Sequence, residues 1–140
     1  MIVADGWQLH PRLEADTRPV VRWPVCDVRM MEDARYPWLI LVPRIADAVE
    51  IVDLSEDLQL QLARETARAS RALRAVATPD KLNIGALGNV VRQLHVHVLG
   101  RFEGDPAWPG PVWGRGVAEP YTDEARSARL QALRAACEAD

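Results

Sequence analysis

Three side chains able to take part in catalysis alternate with apolar residues in one short stretch, Gln93-Leu94-His95-Val96-His97-Val98-Leu99. The 140 residues contain only three histidines, and two of them lie here. Side chains two positions apart on a β-strand point to the same face, about 6–7 Å from one to the next. The pattern therefore predicts a strand over residues 90–99 that presents Gln93, His95 and His97 together and turns its apolar face to the core.

An imidazole pair of this kind suits nucleophilic chemistry at phosphorus. Imidazole has an unperturbed pKa of about 6.5, so a neutral histidine is available near neutral pH to form a covalent intermediate. In this interpretation neutral His95 attacks, and protonated His97 stabilises the charge that develops on the phosphate or leaving-group oxygens. Gln93 adds a neutral donor and acceptor to the same face.

Two other interpretations of the histidine pair remain open at this point. The first is a zinc site, because two imidazoles on one strand face suit zinc, but a catalytic zinc usually needs a third protein ligand. The second is a hydrogen-bonded pair with a purely structural role. The phase that Gln93 shares with both histidines favours catalysis, and we expect no metal and no cofactor. The residues that would have to supply a third zinc ligand from a distance are His10, Cys26, Glu103 and Asp105.

Composition and charge restrict the class of protein. The length predicts a single domain over residues 1–140, with 49% hydrophobic and 26% charged residues. A net charge of −3 with no long basic run argues against an extended nucleic acid as partner, whereas a small phosphorylated ligand needs only a few donors. No apolar run approaches the ~20 residues of a membrane span. The first five residues do not resemble a signal peptide, and two cysteines do not form a disulfide framework, so we expect a cytoplasmic protein.

The apolar pattern also predicts the elements that position the histidines. Residues 25–31 are expected to form a strand, and the proline-bracketed run Trp38-Leu39-Ile40-Leu41-Val42 a strand buried on both faces in the middle of the sheet. Residues 8–15 are expected to form a short helix interrupted by Pro11. Residues 17–24, which contain two prolines, are expected to cross the surface.

The second half of the chain supplies the helices. Ser55 is a helix N-cap followed by two acids, and apolar residues then recur at steps of three and four to form a long helix. Residues 82–87 are expected to pair with the histidine strand in an antiparallel hairpin, through a turn at Gly88-Asn89. A last helix begins at Thr122. This order predicts an α+β domain with an antiparallel sheet.

The histidine stretch resembles the motif of the histidine triad (HIT) family, His-φ-His-φ-His-φ-φ with φ hydrophobic, except that Gln93 stands at the first histidine position. Upstream, residues 36–43 resemble the strand that ends in a hydrophobic-Pro pair in this family. The resemblance covers about residues 25–101. It leaves residues 1–24 as an N-terminal extension and residues 102–140 as a Pro- and Trp-rich segment followed by a helix.

The resemblance implies a HIT-like fold, with a five-stranded antiparallel sheet, one long helix and a C-terminal helix, usually in a homodimer. It also implies a nucleotide-binding hydrolase or nucleotidyltransferase that acts on an adenylated or dinucleoside polyphosphate type of substrate through a nucleotidyl-His95 intermediate. His97 would contact the phosphate and the leaving group. Asn83 matches the family's asparagine that helps to bind the phosphate or ribose, and Asn89 lies where the family often has a phosphate-contacting glutamine. Glu32 and Asp33 are the candidates for the ribose-binding acid.

Two departures from the family pattern define an alternative. Glutamine cannot carry a proton at neutral pH, and Val90 is apolar where some relatives carry a serine near the leaving group. The alternative is therefore a nucleotide-binding module that has lost efficient catalysis. Trp108 and Trp113 lie in an irregular segment with three prolines, and we expect them to pack against a partner subunit.

Overall fold

A computed structural model of the chain describes residues 6–139, and the first five residues, on which the signal-peptide expectation rests, lie outside it. Five antiparallel strands form one sheet in the order β1-β2-β3-β5-β4. This architecture confirms the predicted α+β fold. The elements are α1 Pro11–Asp16, β1 Thr17–Arg22, β2 Cys26–Met31, β3 Trp38–Pro43, a 3-10 helix Ile51–Asp53, α2 Glu56–Ala77, β4 Lys81–Gly85, β5 Val96–Arg101 and α3 Asp123–Glu138.

The strand β3 occupies the middle of the sheet, as its continuous apolar run predicts. It pairs with β2 on one side and β5 on the other, and every residue in it is buried. Leu39 and Leu41 point to one face of the sheet, and Trp38 and Ile40 point to the opposite face. A strand covered on both faces needs apolar residues at every position, which explains the absence of alternation.

The helices α2 and α3 cover the first face. Ser55 caps α2 by accepting the backbone N–H of Leu58, and the helix ends at Thr78, which has a left-handed backbone conformation. Both predicted helix starts are confirmed, since Thr122 accepts the N–H of Ala125 at the start of α3. Apolar residues of both helices pack on the sheet and form its larger core.

Two expectations for the N-terminal residues are wrong. Residues 17–24 do not simply cross the surface, because Thr17–Arg22 forms the edge strand β1. Pro19 is tolerated there because it lies at an irregularity of the β1–β2 register on an edge strand. Pro11 does not interrupt a helix but begins α1, where its missing N–H costs nothing, and His10 caps that helix by accepting the N–H of Arg12.

The strand that carries the histidines is shorter than predicted. β5 begins only at Val96, and the residues between β4 and β5 are irregular rather than a tight turn. β4 and β5 are antiparallel neighbours, as expected, with Gly85 opposite His97. The register across the sheet also places Ile40 of β3 opposite His97 on the other side. His97 therefore lies in regular structure, and His95 precedes it.

The segment that precedes β1 and the irregular segment that follows β5 cover the second face of the sheet. Leu13 of α1 and Val112 of the segment after β5 pack there with Trp38 and Ile40. Trp113 packs against this cluster. The Cζ atom of Arg101 lies 5.7 Å from the centroid of the Trp108 ring. The two tryptophans thus contact their own chain, whereas the sequence led us to expect contacts with a partner.

A buried ion pair anchors the segment that follows β5. Arg101 is 1% exposed, and its guanidinium donates to both carboxylate oxygens of Asp105 at 2.8 and 2.9 Å. The same carboxylate accepts the backbone N–H groups of Phe102, Ala107 and Trp108. Asp105 therefore folds the first turn of the segment that covers the second sheet face. No helix within residues 6–139 combines the length and the apolar character needed to cross a membrane.

We expect Asp105→Asn to lower the free energy of unfolding by about 3 kcal/mol, because the substitution leaves Arg101 buried without a countercharge. Hydrogen bonds from Arg101 lower the pKa of the Asp105 carboxyl to about 2. The stabilisation by this carboxyl is therefore complete above pH ~4 and is lost as the pH falls from ~4 to ~2. Denaturant unfolding at several pH values measures both effects.

The matched control for this prediction is Asp123→Asn, which removes a fully exposed carboxylate that also pairs with an arginine, Arg126. We expect this variant to unfold like the wild type, because an exposed ion pair is screened by water. Equal losses in Asp105→Asn and Asp123→Asn would contradict a special role for the buried pair.

Candidate active site

The two histidines of the motif lie side by side in one cavity on the second face of the sheet. Their ring centroids are 4.9 Å apart with planes inclined at 64°, and each residue is 6% exposed. The cavity has a volume of about 540 Å³. Its walls are α1, the loop after β2, the irregular residues before β5, and residues 112–118 of the C-terminal segment.

The ring of His95 is oriented by the backbone of its own segment. Its Nδ1 lies 2.7 Å from the carbonyl oxygen of Gln93. A carbonyl oxygen can only accept, so the proton of the neutral ring is on Nδ1. The lone pair of Nε2 is consequently available for attack on an electrophile. A backbone acceptor makes this orientation independent of the side chain at position 93.

In the ring of His97, Nδ1 accepts a hydrogen bond, whereas in His95 it donates one. The indole Nε1 of Trp38 donates to Nδ1 of His97 over 3.0 Å, so a neutral ring carries its proton on Nε2. Burial, with a smaller contribution from His95, lowers the pKa of His97 to about 3. The expectation of a protonated His97 is therefore wrong, and this residue is a neutral hydrogen-bond donor at neutral pH.

The side chain of Gln93 does not share a face with the histidines. Its Oε1 accepts the backbone N–H of His10 at 2.9 Å, and its Nε2 donates to the carbonyl of Gln8 at 2.8 Å. The prediction of three polar groups on one strand face fails here because residues before Val96 lack strand geometry. Gln93 ties the N-terminal segment to the histidine segment instead of lining the cavity.

The sequence model of the HIT domain matches residues 12–104, which is more than half of the chain. The chain belongs to the HIT family. This identification confirms the resemblance seen in the sequence and extends it to residues of α1 and β1, which the motif comparison left out. No curated protein matches the chain in sequence.

Solved HIT structures are similar along almost the whole chain. A histidine triad protein from Bradyrhizobium japonicum is 49% identical, with a TM-score of 0.91, over 94% of this chain and 98% of that one. A histidine triad protein from Sinorhizobium meliloti 1021 is 47% identical, with a TM-score of 0.89, over 91% and 95% of the two chains. A third, from Marinobacter aquaeolei VT8, is 43% identical, with a TM-score of 0.91, over 94% and 96%.

The two asparagines expected at the HIT ligand site are placed differently. Asn89 lines the histidine cavity. Asn83 does not, because its Oδ1 accepts a hydrogen bond from Arg101 at 2.8 Å. The ring of Trp113 lies 3.3 Å from where a Cβ on Gly85 would be. A glycine at position 85 therefore lets the C-terminal segment lie against β4.

The two candidate ribose-binding acids are both engaged in ion pairs. Glu32 does not line the cavity of this HIT site, and hydrogen bonds from Arg126 lower the pKa of its carboxyl to about 2. Asp33 does line it but is 2% exposed, and Arg35 binds both its carboxylate oxygens. Asp33 also accepts the N–H of Glu119, so it fixes the cavity wall to the C-terminal segment.

Three of the four residues considered as further zinc ligands are engaged in other contacts. Cys26 is in the core on the helix-covered face, and Asp105 is bound by Arg101. The His10 ring caps α1. Within residues 6–139 no three histidine, cysteine or acidic side chains come together in a way that could hold a metal ion.

Several cavity residues were not predicted from the sequence to line a site. Trp38 was interpreted only as part of a buried strand. It lies two positions before Ile40, so both side chains point to the face of the sheet that carries the histidines. Other wall residues come from segments whose packing over the histidines the sequence does not indicate. They are Arg12, Leu13, Asp16, Met31, Arg35, Val112, Trp113 and Arg115.

Proposed function

We propose that this HIT protein is a nucleotide-binding hydrolase or nucleotidyltransferase that acts through a covalent nucleotidyl-His95 intermediate. The observation that supports this most directly is the 2.7 Å hydrogen bond from Nδ1 of His95 to the Gln93 carbonyl, which leaves the Nε2 lone pair free. Membership of the HIT family supports the choice of a nucleoside phosphate as substrate.

The proposed reaction has two steps. Nε2 of His95 forms a bond to the α-phosphorus, and the leaving group departs with the electron pair of the bond that breaks. The imidazole is then cationic, and the Gln93 carbonyl stabilises it through the proton on Nδ1. In the second step the oxygen of water or of another acceptor attacks the phosphorus, the P–N bond breaks, its electron pair returns to Nε2, and the proton of the attacking oxygen is released to solvent.

The cavity offers partners for the rest of a nucleotide. His97 presents Nε2–H as a neutral donor to a phosphoryl oxygen, beside His95. The Trp113 ring and apolar neighbours form a wall on which a base can stack. Asn89 and the exposed guanidinium of Arg115 lie in the same cavity as further donors. A cavity of about 540 Å³ is within the size range of sites for small organic ligands.

The proposal is tested by intact mass measurement after brief mixing with adenylated substrates. We expect the wild type to gain the mass of one adenylyl group, and His95→Ala to gain none and to lose turnover. The control is His10→Ala, which removes the third histidine of the chain and is expected to form the adduct normally. Wild-type turnover in His95→Ala would rule out this nucleophile.

The alternative of a binding module with impaired catalysis depends on Gln93 being a defect. The Gln93 side chain points to Gln8 and His10 and not into the cavity, so an imidazole at position 93 has no access to the phosphoryl group. We expect Gln93→His to turn over no faster than the wild type. Gln93→Ala is the matched control, since it loses the same two hydrogen bonds without adding an ionisable group. Faster turnover in Gln93→His alone would support the alternative, as would monophosphate binding without any adduct.

We also propose that the protein is a homodimer joined along β4 and located in the cytoplasm, where its two buried cysteines stay free. β4 is an edge strand, so its outer backbone groups are available to a second β4. An apolar groove of about 960 Å³ lies between α2 and β4, and Leu60 and Ile84 on its walls are each 52% exposed. The exposed apolar groove and the unpaired edge of β4 lie side by side, and together they favour a second copy of this chain as the partner that covers them.

Sedimentation tests the dimer. We expect the wild type to be dimeric at micromolar concentration and Ile84→Lys to be monomeric, because the charge would be buried in the interface. Val117→Lys adds the same charge at an apolar residue that is 84% exposed outside the groove and should leave the dimer intact. A monomeric wild type would overturn the proposal.

A further inference from the structure

We propose that Trp38 is a positioning residue that holds His97 in a single form, the neutral imidazole with its proton on Nε2. In this form His97 is a constant hydrogen-bond donor toward the phosphoryl group, whatever the protonation of its neighbours. The second part of the inference rests on the proposed function, whereas the assignment of the His97 proton does not.

The geometry allows only one direction for this hydrogen bond. Trp38 is the first residue of β3, and its indole crosses diagonally to His97, whose direct neighbour in the register is Ile40. The Nε1–Nδ1 distance is 3.0 Å, and the ring centroids are 5.7 Å apart. An indole nitrogen can only donate, so Nδ1 of His97 must offer its lone pair.

The indole has little freedom to move away from His97. Trp38 is 7% exposed, and Tyr36 packs against it edge-on with ring centroids 6.3 Å apart. On the other side of His97, the Trp113 ring lies at 5.5 Å. The hydrogen bond is therefore shielded from water, which strengthens it and makes an alternative partner for Nδ1 costly.

The same contact excludes the imidazolium form of His97. A proton on Nδ1 would face the N–H of Trp38, so two donors would meet without an acceptor. Trp38, Ile40 and Gly85, which β3 and β4 place beside His97, carry no charge that could compensate. The charged or titratable residues that line the same cavity as the ring are His95, Arg12, Asp16, Asp33, Arg35 and Arg115.

A neutral His97 suits the charge changes at its neighbour. The ring of His95, with its centroid 4.9 Å away, becomes cationic when its Nε2 binds phosphorus. A second cation at that distance would repel it, whereas a neutral N–H donor stabilises the phosphoryl oxygens without this cost. The pKa of about 3 that burial gives His97 agrees with this division of roles.

The decisive experiment is long-range proton–nitrogen NMR of the protein labelled with 15N-histidine, which distinguishes the two neutral forms of imidazole. We expect His97 in the wild type to show the Nε2–H form only, unchanged from pH 8 to pH 5. In Trp38→Phe we expect a mixture of both neutral forms. Replacement of Trp38 by β-(3-benzothienyl)alanine, which keeps the ring shape but has sulfur in place of N–H, should give the same mixture and covers the case that Trp38→Phe fails to fold.

The control is Tyr36→Phe, which changes another buried aromatic residue of the same cluster and should leave the His97 spectrum as in the wild type. A wild-type spectrum with the Nδ1–H form, or an unchanged spectrum in both Trp38 variants, would overturn the inference. This readout does not require turnover, so an inactive wild type with the expected spectrum would contradict the proposed function and leave the assignment of the His97 proton intact.

Where the wild type turns over substrate, kinetics test the role of His97 as a constant hydrogen-bond donor toward the phosphoryl group. We expect kcat to fall roughly tenfold in both Trp38 variants, about the effect of weakening one hydrogen bond to the transition state. KM should change little, and the pH profile of kcat should acquire an additional ionisation between pH 5 and 7. An increase in KM alone, with kcat and its pH profile unchanged, would indicate a purely structural role for Trp38.

Discussion

The buried pair of Arg101 and Asp105 is the interaction on which the site depends. Arg101 ends β5, the strand that carries His97, and its guanidinium holds Asn83 of β4 as well as Asp105. Asp105 in turn folds the backbone that leads to the wall around Trp113. A buried guanidinium requires its countercharge, so the strand, its neighbour and the cavity wall are fixed together.

The two faces of the sheet differ in what they carry: one carries the larger apolar core and the other the histidine cavity. α2 and α3 cover one face with a continuous apolar core, whereas the segments that precede β1 and follow β5 cover the other and leave a cavity at the histidines. His95 is oriented by a backbone carbonyl of the motif itself, that of Gln93, whereas His97 is oriented by the Trp38 indole, which lies outside the motif. The two contacts place the ring protons oppositely, so that in the neutral rings Nε2 carries a lone pair in His95 and a proton in His97.

Much of the fold followed from local pattern. The β3 run, the Ser55 and Thr122 caps and the antiparallel neighbours β4 and β5 were all predicted correctly, because each depends on residues close in sequence. The edge strand β1 was missed because prolines argue against a strand unless its position at the edge is known. The catalytic candidates His95 and His97 were recognised, but the direction of the Gln93 side chain was not, since strand geometry ends at Val96.

The sequence by itself determined the HIT family and the pairing of His95 with His97, because side chains two positions apart in an extended segment point to the same side. Only the tertiary structure decided the state of each ring. The proton on His97 depends on Trp38, 59 positions away, and the ligand roles expected of Asn83, Glu32 and Asp33 are limited by arginines that the fold brings to them. Such contacts are set by the packing of distant segments, and no pattern of neighbouring residues encodes them.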